Sequence, residues 1–330
     1  MNVSLKNIAD ALHLSKATVS WVLSGQGEKK GFSKKTIKLV ENYAKEVGYQ
    51  PNLVARNLSV GYTKTLGIII PSISDTFYAQ MVQAAEIQAR KKGYVLIVCS
   101  SECDNRNEEV IIQTFKAQRV DGLIIASVKN FKKEIEKLID ESFPFVLIDR
   151  YFPELDTNFV IVNNEDSSFN IVQKLQKQGA RKIVCLTTDM KLLVMQKRII
   201  GYKKALYAAN IAFDSNLFLE IDRLNYHEDL SRKLDILFES NNVDAFFFAT
   251  HYLAMAAMRY FVNKKMDYNR LFYFGCIHTM EGLDVLAPNM LISRMPVEEM
   301  SSCAVNIVTE NIKGKNTFIK KKIILSNELK

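Results

Sequence analysis

Lys16, Ala17, Thr18, Ser20 and Trp21 fall within six residues and bring together an ammonium, a methyl, two hydroxyls and an indole. On one exposed helix face, such groups can meet phosphate oxygens and the edges of bases. The residues around them supply a scaffold. Leu5, Ile8, Ala9 and Leu12 recur at helical spacing, and so do Val19, Val22 and Leu23. Ser4 and Ser15 stand where N-caps belong. The spacing predicts two short helices around a tight turn, one packing and one reading, which is the form of a helix-turn-helix. A third helix over 33–47 places Ile37, Val40, Ala44 and Val47 beneath the pair, with Ser33 as cap and Gly48 as stop.

Charge points the same way. Residues 1–61 hold nine Lys or Arg against four Asp or Glu, so five of the chain's eight net positive charges lie in that stretch. A basic end of this kind favours an acidic polymer as partner. Lys29 and Lys30, in the loop from Ser24 to Phe32, are candidates for phosphate contacts. Pro51 then opens a segment over 51–61 that reads as a helix too short to be stable alone. Leu58 in it has no evident core to join. It is suited to wedge into a base step, or else Leu53, Val54 and Leu58 pack as a linker helix.

After 62 the pattern changes to apolar runs alternating with amphipathic stretches. Strands are expected at 66–71, 94–100, 122–126, 145–149 and 159–162, then at 182–187, 245–249 and 271–275. Helices are expected at 77–92, 108–118 and 132–141, then at 165–179, 196–210, 226–239 and 252–264. The alternation predicts an α/β body of two doubly wound, mainly parallel-sheet subdomains, with a cleft at the strand carboxyl ends. Residues at those ends are Asp75, Phe77, Tyr78, Asp149, Arg150, Arg198, Thr250, His251, Ile277 and His278. The fork of Arg198 can hold a carboxylate, a phosphate or sugar hydroxyls, or else make an ion pair at a helix start.

Other chemistries find little support. Gly25, Gly27 and Gly31 miss the dinucleotide spacing and lie between helices, and His227-Glu228 lacks the second His of a zinc-protease motif because Ser231 stands there. No Gly-x-Ser-x-Gly elbow occurs. His251, His278 and Cys276 show no metal-ligand spacing, so neither a metal nor a cofactor is expected. Five scattered cysteines suit reduced thiols. No apolar run is long enough to span a bilayer, and Lys6, Asn7 and Asp10 interrupt any secretory core, so a cytoplasmic protein without membrane partners is expected.

Six motifs, in this order, resemble the lac repressor/gal repressor family of bacterial transcription regulators: Leu5-Lys6-Asn7-Ile8-Ala9, Ser15 to Ser20, Val47 to Asn52, Leu66 to Pro71, Arg119 to Ile124 and Arg198 to Tyr202. The resemblance implies a helix-turn-helix domain over 1–50, a hinge helix over 51–61 and an effector-binding, dimerising body over 62–330 of the kind shared with periplasmic sugar-binding proteins. It further implies chain recrossings near 290 and 320. One subdomain then comprises about 62–163 and 292–319, the other about 164–291 and 320–330. Lys16, Ala17, Ser20 and Trp21 match recognition positions, Asn52, Ala55 and Arg56 match hinge positions near DNA, and Leu58 matches the wedging leucine. Ser4, Leu5 and Thr18 complete the candidate DNA set. Phe77 and Tyr78 match aromatic pocket positions, Asp149 a polar one and Arg198 the effector-binding arginine.

Three departures stand out. Trp21 replaces the usual Arg, so its side chain either meets DNA through a thymine methyl or the sugar-phosphate, or packs inside the small domain. Thr250-His251 stands where sugar-binding members carry Asn-Asp, and Ile277-His278 where they carry an Asp pair. The pocket therefore takes a different ligand or depends on one less. The function expected is a repressor that binds a pseudo-palindromic operator as a homodimer under control of a sugar-like or sugar-derived effector. The alternatives are a ligand-independent regulator governed by a protein partner and a sugar-binding or sugar-modifying protein.

Overall fold

The computed structural model describes residues 3–49, 62–128, 132–240, 242–314 and 321–330. The chain forms two compact units, one up to Thr63 and one from Lys64. The expected hinge helix, with Asn52, Ala55, Arg56 and Leu58, lies outside the described residues.

The first unit is three helices, α1 (Leu5–Ala11), α2 (Lys16–Leu23) and α3 (Lys34–Glu46). Each begins at a serine that satisfies an orphan N–H of the first turn. Ser4 Oγ accepts from Asn7 N at 3.3 Å while Asn7 Oδ1 accepts from Ser4 N, a reciprocal capping box. Ser15 Oγ accepts from Thr18 N at 3.0 Å, and Ser33 Oγ from Thr36 N at 3.1 Å. His13, at φ 53°, makes the left-handed turn between α1 and α2. The core is small: Ile8, Ala9, Val19, Val22, Val40 and Ala44 are buried, ringed by half-buried residues including Leu5, Ile37 and Phe32.

The second unit contains two six-stranded sheets. Its strands are β1 (Thr65–Ile70), β2 (Val95–Ser100), β3 (Gly122–Ile125), β4 (Phe145–Ile148), β5 (Phe159–Val162), β6 (Ile183–Thr188), β7 (Phe218–Ile221), β8 (Ala245–Phe248), β9 (Tyr273–Ile277), β10 (Leu291–Arg294), β11 (Lys322–Leu325) and β12 (Glu328–Leu329). The sheets run β11-β5-β4-β3-β1-β2 and β12-β10-β9-β8-β6-β7, the same wiring twice. Every pairing is parallel except β10 with β12. The doubly wound body is therefore as expected, with three refinements. Leu271 ends a one-turn helix, Tyr268–Leu271, and the strand expected at 271–275 runs over 273–277. The edge strand β7 escapes the alternation pattern because Phe218 and Leu219 are only half-buried and Glu220 is exposed.

The third refinement places the crossings more finely. β10 pairs with β9 in the second sheet and β11 with β5 in the first. The chain therefore returns to the first subdomain after 294, close to the expected crossing near 290, and leaves it after 325, a few residues past the one expected near 320. The long helix Val297–Lys313 packs against β3, β4 and β5, which fixes the side to which 297–313 belong.

The two cores differ in filling. Around the first sheet they are mainly aliphatic, with Ile69, Ile112, Leu123, Ile125 and Leu147. Around the second, Phe246, Phe248, Phe261 and Phe274 form a continuous aromatic cluster. One glycine has direct bearing on function. A Cβ on Gly201 would lie 2.1 Å from the carbonyl oxygen of Glu165, so only glycine lets helix Leu193–Ala208 cross helix Asn164–Lys177 so closely. One turn before it, Arg198 meets Asn164 across that crossing.

Candidate functional site

In the first unit, α2 divides cleanly. Val19 and Val22 are buried, Lys16, Ala17 and Trp21 are exposed, and Thr18 and Ser20 are half-buried. Ser4 caps α1, and Leu5 packs on the small core. Lys29 and Lys30 are exposed. Trp21 keeps 39 % of its surface in solvent, so it is not part of the core. It stacks on Phe32 instead, with ring centroids 6.1 Å apart and planes inclined by 26°. The Lys30 ammonium lies 5.0 Å from the indole centroid.

In the second unit, the loops at the strand carboxyl ends enclose a cavity of about 330 Å³. Asp75, Phe77, Tyr78, Asp149, Arg198, Thr250, His251 and Ile277 all line it, together with Arg150 and His278. Sequence reasoning did not reach Thr76, Tyr226, Tyr252 or Met295, which line it too. Met295 follows β10, a strand absent from the expected alternation, and Tyr226 and Tyr252 open helices whose register set their direction. A larger, open concavity of about 1120 Å³ runs along β7 and Tyr226–Ser240 and contains none of the predicted residues.

Two residues aim into the cavity from matching places. Asp149 follows β4 and His278 follows β9, and both adopt left-handed backbone, at φ 64° and 63°. For non-glycine residues such conformations carry strain and cluster at binding sites. Each is held by its neighbouring strand, through Asp149 N to Val160 O at 2.9 Å and His278 N to Ser293 O at 2.8 Å.

The internal bonds of the cleft are specific. Tyr78 Oη donates to Asp149 Oδ2 at 2.8 Å, and Arg150 Nε lies 3.7 Å from that same oxygen. Asp75 Oδ1 caps its helix by accepting from Phe77 N at 2.9 Å and faces His251 Nε2 at 3.2 Å. Burial would raise the Asp75 carboxyl, but the His251 imidazole and the Phe77 N–H outweigh it and hold it below its ordinary value. Arg198 is buried and donates from Nε to Asn164 Oδ1 and from Nη1 to the Ala249 carbonyl, both at 2.7 Å. The alternative of an ion pair for Arg198 is thus replaced by an amide and a carbonyl. Burial depresses its guanidinium below the usual value. His278 Nδ1 accepts from Met295 N at 3.4 Å, which places the ring proton of the neutral form on Nε2. Burial, reinforced by His251 and Arg198, pushes His278 down to about 3 and keeps it neutral.

Five polar atoms in this wall are buried without a hydrogen-bond partner: Thr76 Oγ1, Arg150 Nε, Thr188 Oγ1, Thr250 Oγ1 and His278 Nε2, of which Arg150 Nε keeps only the 3.7 Å ion pair with Asp149. Beside them Phe77 packs edge-on to His278 at 5.2 Å, and His278 to His251 at 5.6 Å. Cys276 does not join the two imidazoles. Its thiol is buried, faces the Ile277 carbonyl and is pushed up by desolvation, which is unlike a metal thiolate. Among the described residues no three His, Cys, Asp or Glu side chains converge on a metal-sized site. Nor, among them, is any helix long and apolar enough to cross a membrane.

A helix-turn-helix unit followed by a two-sheet body with a polar cleft defines a DNA-binding transcription regulator. Residues 4–52 match the family described as bacterial regulatory proteins, lacI family, and 66–281 match a periplasmic binding protein domain. The chain is 30% identical over 319 residues to the HTH-type transcriptional regulator RegA of Clostridium acetobutylicum, covering 94% of this chain and 93% of that one. It is 27% identical over 314 residues to the ribose operon repressor of Haemophilus influenzae, covering 95% and 93%. A crystal structure of the lac repressor dimer bound to operator and the anti-inducer ONPF shares the fold, with a TM-score of 0.86 at 21% identity over 100% of this chain and 98% of that one. The chain belongs to the lacI family of bacterial regulatory proteins. It is a transcription regulator and not an enzyme.

Proposed function

We propose that this regulator is a repressor, acting in the cytoplasm as a homodimer on a pseudo-palindromic operator, and that a small ligand in the cleft controls it. The N-terminal 1–50 unit meets duplex DNA through the α2 face of Lys16, Ala17, Thr18, Ser20 and Trp21, with Ser4, Leu5, Lys29 and Lys30 at its flanks. The family resemblance assigns the hinge role to 51–61, outside the described residues, with Asn52, Ala55 and Arg56 as its DNA-facing candidates and Leu58 as the candidate for the central step.

The observation that carries ligand control is the set of five buried polar atoms without a hydrogen-bond partner in the wall of one cleft. A buried donor or acceptor without a partner costs about 1–3 kcal/mol, so a ligand that satisfies several gains that much at each. His278 Nε2–H is a donor, and so is Arg150 Nε–H beside its 3.7 Å ion pair with Asp149, so both suit oxygens, as a sugar or sugar derivative supplies. Ile277 is 1 % exposed and offers no acceptor where a sugar hydroxyl would donate, which selects against an ordinary monosaccharide pose. Arg198 has spent two of its donors on Asn164 and Ala249, and this favours a second reading in which the cleft is structural and a protein partner governs the regulator.

The test begins with selection of duplexes from a random pool by the full chain, which should return a two-fold symmetric motif. Calorimetry against sugars, sugar phosphates and sugar acids follows, with wild type and Thr250→Val side by side. Ligand heat that falls at least about tenfold in affinity for Thr250→Val supports control through the cleft. Silence across the panel, with DNA binding intact, supports the second reading.

A further inference from the structure

The loop between α2 and α3 is built as a support. Its backbone is tied down by Gln26 N to Trp21 O at 2.9 Å, Lys30 N to Gln26 O at 3.0 Å and Phe32 N to Gly27 O at 3.0 Å. Gly27 is buried against Ile37, where a Cβ would come within 2.9 Å, so the loop is pressed onto the small core. Phe32 is half-buried on that core, Trp21 stacks on Phe32, and Lys30 lies over Trp21. Contacts therefore run unbroken from the core to a cation at the end of the reading face. An exposed lysine ordinarily samples many rotamers, and a cation held over an indole samples fewer. The exposed Trp21 in turn leaves α2 with no guanidinium at this position to pair bidentately with guanine.

We propose that Trp21, Phe32 and Lys30 form one preassembled clamp for a phosphodiester of duplex DNA, with Lys30 as the contact and Trp21 and Phe32 as its positioning residues. Trp21 then sets how α2 is seated rather than which base it reads. The inference rests on the DNA-reading role of this unit. If the full chain selects no duplex from a random pool, that role fails, whereas the clamp is tested only on a duplex that has been selected.

The experiment measures binding of the full chain to one such duplex over a range of salt concentrations. Lys30→Gln should weaken binding about eightfold at roughly 0.1 M salt and lower the slope of log K against log salt by about 0.9, the signature of one phosphate contact. Phe32→Leu and Trp21→Leu keep apolar bulk and remove the stack. Both should lower the slope in the same direction while the selected sequence stays the same, and adding either to Lys30→Gln should change the slope no further. Trp21 is the chain's one tryptophan. Greater acrylamide quenching in Phe32→Leu, with an unchanged melting temperature, shows that the stack is lost and the fold kept. Unchanged slopes in Phe32→Leu and Trp21→Leu would overturn the clamp. So would a changed selected sequence for Trp21→Leu at constant slope, which would make Trp21 a base reader.

Discussion

In the N-terminal unit, the residues proposed to read DNA on α2 run from Lys16 to Trp21, within about two turns of one helix, and most of them face water. In the body, the residues that line the cleft run from Pro71 to Met295, and its key polar atoms are buried. The first surface, in the proposed role, would exchange water for phosphate and base contacts, so each contact would add little and many would add up. The second holds polar groups that are buried away from bulk solvent, so each matters more. The two also rest on unequal supports. Six buried residues hold the reading helix, whereas the cleft stands on two complete sheets.

The most drastic way to break this contrast is Ile8→Ala, because Ile8 is fully buried in that six-residue core. The substitution should cost about 2–5 kcal/mol, comparable to the whole stability of so small a unit. At least about half of the N-terminal units should then be unfolded, so DNA binding should fall at least about twofold, and about tenfold more for each further 1.4 kcal/mol lost, while the main calorimetric transition of the body stays in place. A body transition that falls equally would show the two units to be one cooperative structure.

Arg198→Met tests the cleft with a smaller effect. It leaves Asn164 Oδ1 and the Ala249 carbonyl without a donor, so the body should lose about 3 kcal/mol in denaturant unfolding. Arg198→Lys should not restore it, since an ammonium cannot reach both acceptors in the planar fork. Full stability in Arg198→Met would mean that these bonds add nothing.

Two buried groups give opposite pH dependences that sharpen the comparison further. Glu108 accepts from Ser127 Oγ and from Val128 N at 2.7 Å, yet burial pushes its carboxyl up to about 7 from 4.5. The folded state thus binds this proton more tightly than the unfolded state. The stability it contributes is present in acid and is lost as pH rises from 4.5 through about 7. His278 behaves in the reverse way. Held at about 3 against 6.5, it contributes stability above 6.5 that is lost as pH falls toward 3. Each gives a slope of at most about 1.4 kcal/mol per pH unit. Glu108→Gln should flatten the neutral limb of a stability profile and His278→Gln the acid limb. If either limb keeps its slope, the group named is not its source.

The smallest effect belongs to a helix start. Ser15→Ala removes the oxygen that accepts from Thr18 N and should cost about 1 kcal/mol, read as a drop in the melting temperature of the N-terminal unit. No change would mean that water replaces the cap fully at this exposed site.

Much of this architecture was legible because it is local. The caps Ser4, Ser15 and Ser33 and the stripes through Ile8, Val19 and Val40 depend on residues three or four apart, and the helices fell where those stripes placed them. The parallel strands of the body, buried on both faces, read as continuous apolar runs such as Phe145–Ile148. The edge elements were harder. β7, β11 and β12 are half-exposed or short, and partners far along the chain decide where they pair.

The sequence by itself determined the helix-turn-helix, the doubly wound body and the side chains gathered at the strand ends, because periodicity, capping and composition act over a few residues. Only the tertiary structure decided that Trp21 stacks outward on Phe32 instead of entering the core, that the chain crosses back after 294 and 325, and that Arg198 pairs with an amide rather than a carboxylate. It also decided which polar atoms of the cleft lack partners. Those outcomes turn on close approaches between distant segments, such as the Gly201 crossing at Glu165, and a hydrogen bond is made or missed by tenths of an ångström that no local pattern encodes.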